Sequence, residues 1–221
     1  MQRIPEPELM NDAEQALAYA QADFSEPHNQ FVDLFKQSLL GEDLQGRFLD
    51  LGCGPADICI RLARAFPRVD VLGIDGAEAM LSLGQAAVLK QGLQQRISLR
   101  QAYLPMASLP QQAYTAITSN SLLHHLADPL VLWQSIQAVA QQGTNIFIMD
   151  LMRPASEDEA KKMVETYAAD EPEILRRDFY HSLLAAYRVD EVAKQMAALN
   201  ISGLQIDVVS DRHFTVHGQW R

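Results

Sequence analysis

Residues 47–66 read RFLDLGCGPADICIRLARAF, and the change of period inside them decides the fold class. Arg47 to Leu51 is a short, mainly apolar run with the length of a buried strand. Gly52-Cys53-Gly54-Pro55 is a turn. From Asp57 onward, Ile58, Leu62 and Phe66 fall on one helical face. A strand, a glycine turn and a helix in that order form the repeating unit of a parallel α/β sheet.

The alternation continues downstream. DVLGID (70–75), ISLRQ (97–101), YTAITSN (114–120) and TNIFIMD (144–150) are short apolar runs between polar or turn residues. Their length and β-branching suit buried parallel strands. Helical patterns over Asp57–Phe66, Ala77–Gln91 and Pro129–Ala140 separate most of them. The expectation is an α/β fold with a doubly wound, mostly parallel seven-stranded sheet. After Asp150 the pattern changes. Residues 153–187 are helical and charged, and RVDEVAKQMAALN (188–200) gives one more helix with Asp190 as its expected N-cap. LQIDVVSD (204–211) and HFTVHGQW (213–220) follow as two strands with no helix between them, which implies an antiparallel pair at one sheet edge and an antiparallel last strand. Residues 1–45 read as largely helical, with Phe31, Leu34, Phe35 and Leu39 at helical spacing. We therefore expect one domain over residues 1–221. Residues 1–40 would be an N-terminal helical cover, and residues 153–187 a helical insertion after the fifth strand.

Composition narrows the functional classes. Of 221 residues, 48% are hydrophobic and 21% charged, which is ordinary globular usage. A net charge of −10 repels phosphate backbones, so no nucleic-acid partner is expected. No apolar run reaches the ~18 residues of a membrane span, so no membrane partner is expected. The stretch MQRIPEPELMNDAEQ is polar and acidic, unlike a signal peptide. Cys53 and Cys59 are expected as reduced thiols of a cytoplasmic protein.

The glycine turn is the first candidate site. In an open parallel sheet, ligands bind beyond the carboxyl ends of the strands, near the topological switch point. Gly52 and Gly54 let the backbone bend sharply and approach a ligand. Asp75 ends the next strand, where a carboxylate can accept both hydroxyls of a ribose. The dinucleotide fingerprint needs a third glycine at its sixth position, and Asp57 stands there. With Asp50 just before the turn, two acids favour a cationic nucleoside over a pyrophosphate.

At this point the sequence resembles the class I S-adenosylmethionine-dependent methyltransferases, in particular their small-molecule group. The resemblance rests on FLDLGCGPADI (48–58), GIDGAEAML (73–81) and SNSLLHHLADP (119–129), and with the two-strand ending it covers Arg47 to Trp220. It implies S-adenosylmethionine as cofactor and S-adenosylhomocysteine as product. Asp50, Gly52, Cys53 and Gly54 would lie beside the methionine part, and Asp75 with Gly76 at the ribose. Met80 would pack near adenine, and Asn120 and Ser121 would line the methyl-donor site. The chain departs from the family in two places. Ala56 replaces the third glycine of the turn. After the third strand, Gln101, Ala102 and Tyr103 stand where the family often has an acid for the adenine amino group. Ala102 and Tyr103 are therefore the adenine candidates here.

Methyl transfer needs positioning and exclusion of water, and a general base only when the acceptor must lose a proton. His124 and His125 follow the fourth strand. They read either as base or donor, or as a loop cap beside a solvated ring. No metal is expected, because adjacent histidines converge poorly on one ion and no third ligand lies nearby in sequence. Arg153 reads as a clamp for a substrate carboxylate or phosphate, or as a salt bridge with acids of SEDEA (156–160). Tyr180 reads as a substrate contact or as helix packing. Tyr19, Asp23 and Phe24 lie in the expected cover. The catalytic candidates are thus His124, Tyr180 and Arg153, acting on a small-molecule substrate. A homodimer is compatible with this reading. Two rival functions stay open: a non-catalytic S-adenosylmethionine-binding protein and an NAD-dependent oxidoreductase.

Overall fold

A computed structural model describes all residues except 7–9, 40, 42 and 106–112. Two helices come first, α1 (Ala13–Gln21) and α2 (Ser25–Ser38). Strand β1 (Gly46–Leu51), helix α3 (Asp57–Ala65), strand β2 (Val69–Asp75), helix α4 (Glu78–Lys90) and strand β3 (Ile97–Gln101) form one half of the alternation. Strand β4 (Ala116–Asn120), a short 3-10 turn at Leu123–His125, helix α5 (Leu130–Val139) and strand β5 (Asn145–Leu151) form the other half. Helices α6 (Glu157–Tyr167), α7 (Glu173–Ala185) and α8 (Val189–Ala198) precede β6 (Leu204–Val208) and β7 (His213–Gln219).

The seven strands are ordered β3-β2-β1-β4-β5-β7-β6. All pairings from β3 to β5 are parallel, and β7 runs antiparallel to both β5 and β6. The order reverses between β1 and β4, so the crevice of a doubly wound sheet opens there.

Strand period sorts the two faces. Phe48 of β1 and Phe147 of β5 point toward α2 and α3, where Phe31, Phe35 and Phe66 complete an aromatic cluster with ring centroids 5.0 to 5.8 Å apart. Leu49, Leu51, Ile117 and Ile148 point to the opposite face, against Leu132, Trp133 and Ile136 of α5 and Val192 and Met196 of α8. The Trp133 indole is fully buried and donates to Gln195 Oε1 at 2.9 Å, so its polar N–H is satisfied inside the apolar layer. Helices α6 and α7 pack on each other around Ala160, Val164 and Leu183 at the carboxyl end of β5. Helix α8 begins at Val189 with Arg188 as its N-cap, two residues earlier than the expected Asp190. Glu191 is the reason: its Oε2 takes the Arg188 N–H at 2.8 Å and fixes the helix start there.

Candidate active site

The turn after β1 is wound by three left-handed residues, Gly52, Gly54 and Ala56, with φ of 71°, 50° and 67°. It is tied to β2 throughout: Gly52 and Cys53 donate their N–H groups to Ile74 O, each at 2.9 Å. Gly54 N–H donates to Asp75 Oδ2 and Ala77 N–H to Asp75 Oδ1, both at 2.8 Å. Burial raises the Asp75 pKa, and the backbone N–H groups of Ala77, Gly54 and Gly76 oppose that without cancelling it. A Cβ on Gly52 would lie 2.8 Å from Leu122 of the loop after β4, so the two loops meet at the switch point. A Cβ on Gly54 would meet nothing within 4 Å, because this backbone borders open space.

That space is a cavity of about 810 Å³ at the carboxyl ends of β1, β2 and β4. Gly52, Cys53, Gly54, Asp75, Gly76, Met80, Ala102, Tyr103, Asn120, Ser121 and His124 all line it. Tyr103 stands at the mouth, 59% exposed, with Gln101 Nε2 donating to its hydroxyl at 3.3 Å and to Gly76 O at 3.1 Å. Ser121 also takes left-handed backbone, φ 54°, which turns the chain sharply after β4.

Three predicted site residues lie elsewhere. Asp50 is 1% exposed and faces away from the cavity, accepting from Thr118 Oγ1 at 2.8 Å and Cys59 Sγ at 3.2 Å. Burial lifts its pKa to about 6. The expectation of Asp50 beside the ligand is corrected: strand alternation sets its side chain on the Phe48 face, under α3. Arg153 is 5% exposed and clamps the α7–α8 junction, donating to Ala186 O at 2.9 Å and Glu191 Oε1 at 2.6 Å. Its partner is an acid of α8, not one of residues 156–160, and it does not reach the cavity. Tyr180 turns toward α6, packing in the Leu151–Val164 cluster with its hydroxyl 3.5 Å from Glu157. Phe179 and Ser182 of the same helix face the cavity instead.

The end of the cavity beyond Ser121 is built from Leu122, His124, Leu126, Leu175, Phe179 and His213. His124 is 2% exposed, and its Nδ1 lies 2.6 Å from Asp150 Oδ1. Asp150 is itself fixed, accepting from the N–H groups of Leu123 and Leu151 at 2.7 and 2.8 Å. Burial pushes the His124 pKa down, but the carboxylates of Asp150 and Glu6 outweigh it and hold the ring above its ordinary value. At His213 burial prevails, with the Arg212 charge adding to it, and lowers the pKa to about 4, so that ring is neutral. The expected cover does meet the cavity: Tyr19, Asp23 and Phe24 line it, with the Tyr19 and Phe24 rings 4.7 Å apart. Burial lifts the Tyr19 hydroxyl to about 12. His28 Nδ1 and Arg61 Nε each pair with Asp57 at 2.6 Å, so the acid at the sixth position of the turn is neutralised by the protein itself. Sequence reasoning missed His28, Phe179, Ser182 and His213, whose helical or strand periodicity marks a face but not what that face meets, and Arg212, which lies in the loop before β7.

Residues 48–143 match the model of a methyltransferase domain family. That segment runs from β1 to the turn before β5 and carries the glycine turn, Asp75 and His124. Among curated relatives, a ubiquinone biosynthesis O-methyltransferase of Acinetobacter baumannii (strain ACICU) is 30% identical over 110 residues, 48% of this chain and 44% of that protein. A trans-aconitate 2-methyltransferase of Deinococcus radiodurans is 30% identical over 136 residues, 61% of this chain and 48% of that protein. The chain thus spans under half the length of these relatives. Among solved structures, an S-adenosylmethionine-dependent methyltransferase from Aquifex aeolicus superposes with a TM-score of 0.71, 18% identity, and coverage of 95% of this chain and 99% of that one. The plantazolicin methyltransferase BpumL, solved with a desmethyl plantazolicin analog and S-adenosylhomocysteine, gives 0.66, 13% identity, and coverage of 95% and 90%. The methyltransferase fold therefore extends well beyond the matched segment, through the antiparallel β7 to the edge strand β6.

Proposed function

We propose that this protein transfers a methyl group from S-adenosylmethionine to a small-molecule acceptor. The observation that carries the reading is the pair of Asp75 and Gly54 on the wall of one cavity that also holds His124 at its far end. The residues fit the cofactor. Gly54 presents backbone to open space where any side chain would intrude. Gly54 and Ala77 each give one N–H to Asp75, and a carboxylate has about four acceptor positions, so acceptor capacity remains for ribose hydroxyls. Met80, 3% exposed, supplies an apolar wall for adenine.

S-adenosylmethionine brings the methyl group already activated as a sulfonium. The protein's share is binding, alignment and exclusion of water. Gly52, Cys53 and Gly54 form the floor beside the donor, and Asn120 and Ser121 separate donor from acceptor. Leu122, Leu126, Leu175 and Phe179 make the acceptor end apolar, and α1 and α2 close over it with Tyr19 and Phe24. His124 is the polar group at that end, its ring held by Asp150 at Nδ1. We assign the protein to the cytoplasm, where the free, buried Cys53 and Cys59 thiols would stay reduced. Among the described residues no helix is long and apolar enough to cross a membrane.

The test has two parts. Calorimetry should show S-adenosylhomocysteine binding without competition from NAD. Methyl-labelled S-adenosylmethionine in a metabolite extract should then yield a labelled small molecule. Binding without any labelled product would mean a non-catalytic binding protein, and absence of binding would overturn the reading.

A further inference from the structure

The N-terminal segment brings a carboxylate to the two histidines from 118 residues away in sequence. Glu6 Oε1 lies 3.2 Å from His125 Nδ1 and 3.6 Å from His124 Nε2. The three ligand atoms all fall within 4.8 Å of one another, the one such grouping of His, Cys, Asp or Glu among the described residues. The Glu6 side chain is 9% exposed, yet its Oε1 takes no hydrogen bond. A buried carboxylate oxygen facing two ring nitrogens without hydrogen-bond alignment is costly as it stands. A cation shared by the three groups would satisfy that oxygen.

We propose that Glu6, His124 and His125 hold a divalent cation of the zinc class, with its open position toward the cavity. Zinc bonds of about 2.0–2.1 Å at tetrahedral angles set neighbouring donor atoms roughly 3.3 Å apart, and the two measured separations bracket that value. The outer partners are also in place. Asp150 holds His124 by Nδ1 at 2.6 Å, which orients Nε2 as a ligand. Ser182 Oγ donates to the other Glu6 oxygen at 3.3 Å, which leaves Oε1 for the ion. Charge balances as well, because Glu6 and Asp150 together carry the two negative charges that a divalent ion neutralises. His124, His125 and Ser182 all line the cavity, so the open position faces the acceptor end. Three protein ligands and one open position make a site that binds a reacting oxygen rather than a purely structural one. The cation site stands on this geometry alone. That its open position takes an acceptor hydroxyl or phenol oxygen, with the proton passing to water, rests on the methyl-transfer reading.

The full chain, stripped with chelator and dialysed, is titrated with Co²⁺ and followed by visible absorption. The expected result is one equivalent bound with the intense bands of four-coordinate cobalt, displaced by Zn²⁺. Glu6→Gln and His125→Gln should each weaken binding about 100-fold, and Ser182→Ala about tenfold. Circular dichroism checks that each variant folds, and His125 at the cavity wall serves if Glu6→Gln does not. Absence of cobalt bands at millimolar metal overturns the site, as does unchanged affinity in the folded ligand variants. Calorimetry with S-adenosylhomocysteine on the stripped protein separates the two readings. Binding there without any cobalt site sinks the cation alone, and a cobalt site without nucleoside binding sinks the methyl-transfer reading alone.

Discussion

The carboxylate of Asp75 accepts the Gly54 N–H at 2.8 Å and so joins the end of β2 to the turn after β1. One residue thereby shapes the turn and borders the ligand space. Asp75→Ala should weaken S-adenosylhomocysteine binding at least about tenfold, since hydrogen bonds to a charged group contribute about 1.5–3 kcal/mol each. Asp75→Asn should fall between, because its amide keeps one acceptor oxygen for the turn. Isothermal calorimetry on folded protein measures both, and unchanged affinity in the alanine variant would remove Asp75 from the ribose site.

Two glycines near the turn separate binding from packing. Gly54→Val should fold with a modest loss, because a side chain there meets no protein atom, although left-handed backbone costs it about 1–2 kcal/mol. The same side chain should abolish nucleoside binding. Gly73→Ala should do the reverse. Its Cβ would sit 2.8 Å from both Cys59 Sγ and Leu99 Cδ2, an overpacking worth about 1–3 kcal/mol of stability. Paired thermal melts and calorimetry of the two variants give the comparison.

Asp50 sets a pH dependence of stability. Its folded pKa of about 6 lies above the ordinary 3.8, so the folded state holds a proton that the unfolded state has released. The resulting stabilisation is complete below the unfolded pKa and is lost as pH rises through 6. Between about pH 5 and about pH 8 the wild type should lose about 1–1.5 kcal/mol relative to Asp50→Asn. Urea unfolding of both proteins at the two pH values tests the sign. A wild type that gains relative to the variant would refute the burial argument.

Arg153 and Tyr180 should leave the chemistry alone. Glu191→Gln replaces the half-exposed carboxylate that faces buried Arg153 with a neutral acceptor and should lower stability by about 1.5–3 kcal/mol, the scale of one hydrogen bond to a charged group. Tyr180→Phe should be silent in turnover. Phe179→Ala, one position away on the cavity face, should raise KM for the acceptor. Steady-state kinetics that reverse this order would return Tyr180 to the acceptor site.

The fold was legible because each level of the sequence agreed. Short apolar runs, glycine turns and helical spacing all named the same α/β alternation, and the missing helix between residues 204–211 and 213–220 named the antiparallel edge. Asp50 was legible too, had strand period been applied to FLDL: it shares a face with Phe48, and that face is covered by α3. Arg153 and Tyr180 were not. Their residue types suit a ligand equally well, and only the rotation of α7 and the arrival of Glu191 decide otherwise. Glu6 carried no signal at all. It lies in a segment without periodicity, and its partners are distant in sequence, so only the folded chain brings it to His124 and His125.

Helix α1 rests on the rest of the protein through one small cluster, with Met10, Tyr19 and Leu83 at its margin. Ala16, Ala77 and Met80 form a cluster of their own, apart from the two cores that bind the sheet. Little apolar surface holds this helix down, so it opens at far less free energy than the sheet unfolds. Tyr19 at its far end closes the same cavity that the nucleoside would occupy. The molecule has thus placed a lightly packed seam over its binding chamber. Release of spent nucleoside would then be timed by this seam, faster than any unfolding of the core and slower than diffusion from an open groove. A larger side chain at Ala16 would retune that clock without touching the chemistry.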